Sequence, residues 1–530
     1  MIVRSRFPEP SIPDQELSAF VLARAGEYAD RPAVIDAATR RGLTYGELRS
    51  AVERFAGGLA RIGVGRGDVV AILLPNLPEY PVVFLGTAMA GAVSTTLNPA
   101  YTTNEIAPQL ADSGAKAVVT TPECVEKVRA AVRPGVRLVV LGDGAPDAVA
   151  YDQLLHDAGP LPAAVGLDPA EDLATLPYSS GTTGLPKGVM LTHRSLVANA
   201  VQCEPILSGR EHDTALAVAP FFHIMGMTVL MLGGLCRGAT LVTLPRFDFV
   251  AFLRAIEEHR VTSTIVPPPV MIALAKHPVV DDHDLSSLEM LGSGGAPLGA
   301  EVQVACAERL GCRTGQGWGM TELAGAGALS PPPEAGEDVP GTVGWCVAGS
   351  ELRVVDPATG EDVDGGEPGE LWYRGPNVMK GYLHNPGATA ATLTEDGWCR
   401  TGDIARVDEQ GFVRIVDRLK ELIKYKAYQV APAEIEAVLL SHPLVADAVV
   451  VASPDEEAGE VPKAFLVLKD GVEPEGTVTE VLAHVAERVA PYKRIRRYEL
   501  IDAVPRTPSG KIIRRGLLER ERAAVHAAAR

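Results

Sequence analysis

Tyr178-Ser179-Ser180-Gly181-Thr182-Thr183-Gly184-Leu185-Pro186-Lys187-Gly188 is the stretch that decides how the rest of the chain is read. Leu173-Ala174-Thr175-Leu176 before it and Val189-Met190-Leu191-Thr192-His193 after it are short apolar runs, so the segment reads as a glycine-rich loop between two strands. Gly181 and Gly184 allow positive φ and close approach of backbone N–H groups to a ligand. The hydroxyls of Ser179, Ser180, Thr182 and Thr183 add donors, and Lys187 sets a cation at the rim. Together these make a phosphate cradle. A Ser/Gly/Thr loop is more often a plain connector, but this many specified residue types in order, ending in Pro186-Lys187-Gly188, favour the cradle. The spacing is not that of the Walker A loop, in which a Gly-Lys-Ser/Thr triplet opens a helix.

Outward from this loop, 530 residues are too many for one core and predict two or more domains. A hydrophobic content of 46% with 22% charged residues is that of a globular protein. The net charge of −18 repels phosphate backbones and anionic lipid, so neither nucleic acid nor a membrane surface is expected as a partner. Any anionic substrate must then be held by local cations and N–H groups. The seven cysteines are scattered without metal-ligand spacing and read as reduced thiols of a cytoplasmic protein. No apolar run is long enough to span a bilayer, and the N terminus has no signal-like core.

Thr44-Tyr45-Gly46-Glu47 is a capping box opening a helix through Leu59, and the apolar run 68–75 is a buried strand. A helix near 80–90 and short β-rich runs at 117–120 and 138–141 predict parallel β–α winding. After the cradle, His223 stands among apolar neighbours, with a helix expected from Thr228 to Leu235. Met290 to Leu298 reads as a strand ending in a glycine turn, and Gly315 to Glu322 as a second such junction. Ligands collect at strand ends of this kind. Glu322 suits Mg²⁺ or a solvated loop equally well by itself. Residues 340–416 read as short antiparallel strands, a small barrel segment interrupted by Trp398-Cys399-Arg400-Thr401-Gly402-Asp403. The charge-rich run 417–426 marks a boundary to a small α+β domain, whose late loop carries Lys511. The final arginine-rich helix from Arg514 reads as an exposed amphipathic face.

Ser179 to Gly188, Pro220-Phe221-Phe222-His223, Ser293 to Leu298, Gly317-Trp318-Gly319-Met320-Thr321-Glu322, Thr401-Gly402-Asp403, Asp417 to Glu421, Gln429 to Glu434 and Pro508-Ser509-Gly510-Lys511 together resemble the adenylate-forming superfamily. Within it the chain is similar to the 4-coumarate- and cinnamate-CoA ligase branch. The resemblance implies an α/β fold: a large N-terminal domain of layered α/β subdomains with a small β-barrel segment (1–418), then a small mobile α+β domain (419–530) hinged at about 417–421. It implies ATP, Mg²⁺ and coenzyme A as reactants. A carboxylate would attack the α-phosphorus of ATP, and the acyl adenylate would pass to a thiol.

Under that resemblance Ser179, Ser180, Gly181, Thr182, Thr183, Gly184 and Lys187 hold phosphates, joined by Gln316, Gly317 and Thr321 around the nucleotide. Glu322 carries the metal, Asp403 and Arg418 the ribose, and Lys420 lies on the hinge. Lys511 bridges carboxylate and α-phosphate in the first step. Lys424 and Gln429 replace it in the second, in which His223 guards the thiol path and Arg246, Lys426 and Ala427 face coenzyme A. The acid pocket is assigned to His223, Met225, Val229, Gly294, Gly295, Gly317 and Leu329.

Two departures from the family pattern involve three positions. Met225 and Val229 stand where hydroxycinnamate ligases carry polar residues, which predicts a large apolar pocket that prefers an unsubstituted or weakly polar acid. Ala427 stands where relatives that form CoA thioesters have glycine, which keeps a carrier protein in trans, an amine, or nitrite activation as alternative acceptor chemistry. The protein is expected as monomer or homodimer.

Overall fold

The computed structural model describes residues 2–142, 145–159, 166–179, 186–207, 213–332, 335, 338–363, 365–426, 428–455, 458–507 and 510–528. Two nine-stranded sheets dominate it. In the first, Val69–Leu73 lies between Val93–Thr96 and Ala115–Thr120, all parallel, followed outward by Arg137–Val140. On the other side come Leu173–Thr175 and the antiparallel strand Lys187–Thr192, which leads back to Tyr178–Ser179. The two strands expected to flank the cradle, near 173–176 and 189–193, are hydrogen-bonded neighbours with Leu191 opposite Thr175, and the ends of the quoted loop itself add a short pair with Ser179 opposite Lys187.

In the second sheet Thr240–Thr243, Thr214–Ala217, Ser263–Val266, Met290–Ser293 and Arg313–Met320 run parallel in that order. Their common direction places the carboxyl ends, including the turn after Ser293 and the glycines of 315–319, along one edge. The helices Tyr45–Arg61, Glu79–Met89 and His193–Leu207 supply apolar faces to one core with residues of both sheets, among them Phe55, Phe84, Ile72 and Leu241. Burial of each such side chain contributes roughly 1.5–3 kcal/mol. Glu47 N–H donates to Thr44 Oγ1 (3.2 Å) and Thr44 N–H to the Glu47 carboxylate (2.8 Å), closing the expected capping box.

A third, five-stranded antiparallel sheet has the order Ile2–Arg4, Glu351–Val355, Gly369–Arg374, Cys399–Val407, Val413–Arg418. Thr401-Gly402-Asp403, expected to interrupt the β segment, lies inside the strand Cys399–Val407, and the register shifts to accommodate it between Ile404 and Ala405. The small C-terminal domain has its own sheet and its own core of Ile423, Ile435, Val450, Leu466 and Val481.

Two further expectations are corrected. The helix expected at Thr228 starts at Met225 and is π-wound to Leu232, with Thr228 Oγ1 bonding back to the Ile224 carbonyl (2.7 Å). The last helix, Arg514–Ala528, is not a merely exposed face. Arg514 ion-pairs with Glu421 and Glu436, and Glu521 is buried against Lys463 and Ser453. A one-dimensional charge pattern carries no record of partners donated by strands far away in sequence.

Candidate active site

The side expected to hold phosphate is built where the first sheet meets the second, Ser179 of the one bonding Glu322 beyond the strand Arg313–Met320 of the other. Ser180 to Gly184 of the cradle lie outside the described residues. Ser179 and Lys187 on either side are placed, and the Lys187 ammonium sits 4.1 Å above the Tyr382 ring. Tyr382 comes from the short strand Gly381–Tyr382, which pairs with Lys187–Thr192. Its hydroxyl donates to Glu322 Oε1 (2.8 Å), as does Ser179 Oγ (3.0 Å). Burial, with the Glu322 charge behind it, raises the Tyr382 phenol far above its ordinary range, so it stays a donor. Glu322 is only 7% exposed and is held next to Thr321 in the turn Thr321–Leu323.

Asp403 is paired in strand register with Arg418. Its Oδ1 meets Arg418 Nε at 3.0 Å, and its Oδ2 accepts from Trp318 Nε1 at 2.8 Å. The carboxylate, 3% exposed, is thereby fixed in one orientation. Lys511 belongs to the small domain, yet its ammonium lies in the field of Arg418, Glu421, Asp403 and Glu322. Burial first and Arg418 second lower it below the usual lysine range, against the three carboxylates. The Gly510 backbone packs on Pro267 of the large domain, which seats this loop. His223 Nδ1 accepts from Met225 N–H (3.4 Å). Burial, reinforced by nearby Lys511, brings its pKa down to about 4, so the ring is neutral with its proton on Nε2.

From His223 a cavity of about 320 Å³ runs along the second sheet. His223, Met225, Val229, Gly294, Gly295, Gly317 and Leu329 all line it. The near half is apolar and floored by glycine as expected. The far half is not: Asp213, Arg237, Ser263 and Arg313 close it, so the expectation of an apolar pocket holds only at the reacting end. Those four lie at the amino ends of their strands or after a helix, positions with no local motif. Gln316 is present at the wall, but its side-chain amide donates to Leu298 O (3.2 Å) and Gln303 Oε1 (2.8 Å).

An AMP-binding enzyme profile matches residues 21–383, and an AMP-binding enzyme C-terminal domain profile matches residues 434–511. The chain belongs to the AMP-binding enzyme family. It is 44% identical to 4-coumarate–CoA ligase 5 of Oryza sativa subsp. japonica, over 97% of this chain and 96% of that protein. It is 42% identical to 4-coumarate–CoA ligase 1 of Narcissus pseudonarcissus, over 98% and 96%. Among solved structures, an anthranilate CoA ligase in complex with anthranoyl-AMP superposes with a TM-score of 0.89 at 27% identity, covering 99% of each chain.

The remaining expected residues of this AMP-binding enzyme lie elsewhere. Lys424 and Gln429 are register partners in the hairpin Ile423–Tyr425 and Tyr428–Val430 of the small domain, and the Lys424 side chain is exposed and does not line the cavity. Lys426 at the hairpin tip is exposed and has φ +52, while Ala427 lies outside the described residues. Arg246 is exposed in the loop after Thr240–Thr243, and Lys420 is exposed just after the strand Val413–Arg418. Sequence reading missed Tyr382 and the role of Trp318 as the donor to Asp403. Trp318 lay inside a quoted motif, whereas nothing around Tyr382 distinguished it.

Proposed function

We propose that the protein activates a carboxylic acid with ATP, forming an acyl adenylate and pyrophosphate, and then transfers the acyl group to coenzyme A with release of AMP. The observation that carries this is the convergence of Lys511, Arg418, Asp403, Glu322 and neutral His223 at the mouth of one deep cavity. Two anions that repel each other must meet there, and the site supplies cations and fixed donors where the charge accumulates. The bond from the acid oxygen to the α-phosphorus forms as the bond to pyrophosphate breaks, and the electron pair departs with pyrophosphate. Lys511 holds the attacking carboxylate and the α-phosphate together. Asp403, fixed by Trp318 and Arg418, accepts from the ribose hydroxyls.

Glu322 fits a Mg²⁺ ligand: its buried carboxylate receives two neutral hydroxyls, and no ion pair involves it among the described residues. No group of three or more metal-ligating side chains converges among the described residues. One carboxylate completed by nucleotide phosphates is a common Mg²⁺ arrangement. Bound there, the ion would neutralise phosphate charge.

The second step needs a different face. The domain boundary falls after Arg418, and a swing about 417–421 withdraws Lys511 and presents the Lys424–Gln429 hairpin. The side-chain hydrogen bonds across that boundary among the described residues include Lys276 Nζ to Leu440 O (2.8 Å) and Ala433 N–H to Asp417 Oδ2 (2.9 Å), with Leu419 N–H to Gly402 O (2.9 Å) at the hinge itself. The thiol sulfur then bonds to the acyl carbon as the bond to AMP breaks, with the neutral His223 at the thiol path.

The acid is of the aryl type, as the names of the 4-coumarate–CoA ligase relatives suggest. The seven unpaired cysteines fit a reducing, cytoplasmic location, and no described helix is long and apolar enough to cross a membrane. The test is a pyrophosphate-release screen of aryl acids with and without coenzyme A, followed by mass spectrometry for the acyl-CoA. Absence of ATP-dependent pyrophosphate release with every acid overturns the reading. Pyrophosphate release without a thioester restricts it to adenylation.

A further inference from the structure

The acid cavity continues past the carboxyl edge of the second sheet to the amino ends of its strands. Met290, Gly292 and Gly294 on one strand path, and Arg313, Gly315 and Gly317 on its neighbour, all line it, as the period of two requires for one sheet face. The register pairs Met290 with Arg313 and Gly292 with Gly315. From the Gly294 and Gly317 end to the Met290 and Arg313 row is four residues of strand, about 13 Å. The middle stays open because it is glycine. A Cβ on Gly292 would meet Ile265 Cγ1 at 3.1 Å, and one on Gly315 would meet Met290 Cε at 2.9 Å.

The far end holds polar groups with bonding capacity to spare. Arg237 follows the helix Gly233–Cys236, is half-buried, and its guanidinium makes no hydrogen bond or ion pair among the described residues. Asp213 is 7% exposed and accepts from Ser263 Oγ (2.9 and 3.0 Å) and from Thr262, with no cationic partner among the described residues. An unpaired guanidinium is matched best by a planar anion.

We propose that Arg237 is a specificity-determining residue, and that the cavity takes an elongated aryl acid bearing a second, anionic group at the end remote from the reacting carboxylate. This rests on the acid-activating reading. The distal anion pairs with the Arg237 guanidinium, and the ring lies over the glycine floor.

The test measures kcat/KM for pyrophosphate release with 4-carboxycinnamate and 4-(carboxymethyl)cinnamate. Each is compared with a neutral acid of similar shape, 4-isopropylcinnamate and 4-isobutylcinnamate. The wild type should favour at least one charged acid over its neutral counterpart by about tenfold or more. Arg237→Met should bring that ratio to about one, and Arg237→Lys should restore part of it. A merely structural arginine would lower all four values together and leave the ratios alone. Gly292→Met should raise the ratio of cinnamate to 4-(carboxymethyl)cinnamate by about tenfold or more, which decides the matter if Arg237→Met does not fold. Wild-type ratios near one, or ratios unmoved in either variant, overturn the proposal while leaving acid activation intact. Failure of every acid to release pyrophosphate instead overturns the activity itself.

Discussion

Lys511 is the residue at which sequence and structure meet most directly. It comes from the small domain, and burial beside Arg418 lowers its ammonium below the usual lysine range. Lys511→Ala is expected to reduce pyrophosphate release by about 10²-fold or more, as loss of a transition-state donor does, while thioester formation from a supplied acyl adenylate changes little. Equal loss in both half-reactions would count against two alternating faces. Trp318→Phe tests the orientation of Asp403, since it removes the 2.8 Å donor to Oδ2. Loss of a hydrogen bond to a charged acceptor costs about 1.5–3 kcal/mol, so KM for ATP should rise by about tenfold or more at nearly constant kcat. At this scale the motifs singled out Asp403, Glu322 and Lys511 as candidates. They could not show that the indole of Trp318 or the phenol of Tyr382 fixes those carboxylates, because each partner comes from a strand remote in sequence.

The last helix and the one after the cradle carry the predictions at the scale of elements. Arg514, at the start of Arg514–Ala528, ion-pairs with Glu421 at the boundary and Glu436 in the neighbouring helix, all three largely buried. Asp417 nearby is pushed up to about 7 by burial. Arg514→Met leaves these carboxylates without their cation, and removing one partner of a buried pair costs about 3–5 kcal/mol. Urea unfolding of the variant should show that loss, and an unchanged midpoint would contradict the cluster. The helix His193–Leu207 opens on a wholly buried histidine. His193 Nδ1 accepts from Leu17 N–H (3.3 Å), so its 3.6 Å approach to Glu16 is not an ion pair, and burial brings the ring down to about 4. His223 has the same shift. Because both folded pKa values lie below the ordinary 6.5, the unfolded chain binds more protons between about 4 and 6.5. Stability from these groups is full above pH 6.5 and is lost as pH falls toward 4. His193→Gln should flatten the fall of Tm across that window; an identical slope would exclude His193 as a source.

Across the whole molecule the cysteines are unpaired, and burial pushes the thiols of Cys203, Cys236, Cys306 and Cys346 up to about 12. The thiolate is the reactive form. A thiol reagent at neutral pH should therefore label the native protein slowly and all seven positions rapidly in guanidinium, and fast stoichiometric native labelling would refute that burial. The α/β class, the two domains and the order of the motifs were legible in the chain because hydrophobic period, glycine turns and caps act between residues close in sequence. Thr44 with Glu47 formed where their spacing required. The tertiary structure alone decided the rest. It set Lys511 near Arg418, Asp403 and His223 of the large domain, buried Arg514 among acids, and carried the cavity on to Arg237 and Asp213. Those outcomes depend on which side chains distant strands and a second domain bring within a few ångströms, and local spacing holds no term for such encounters.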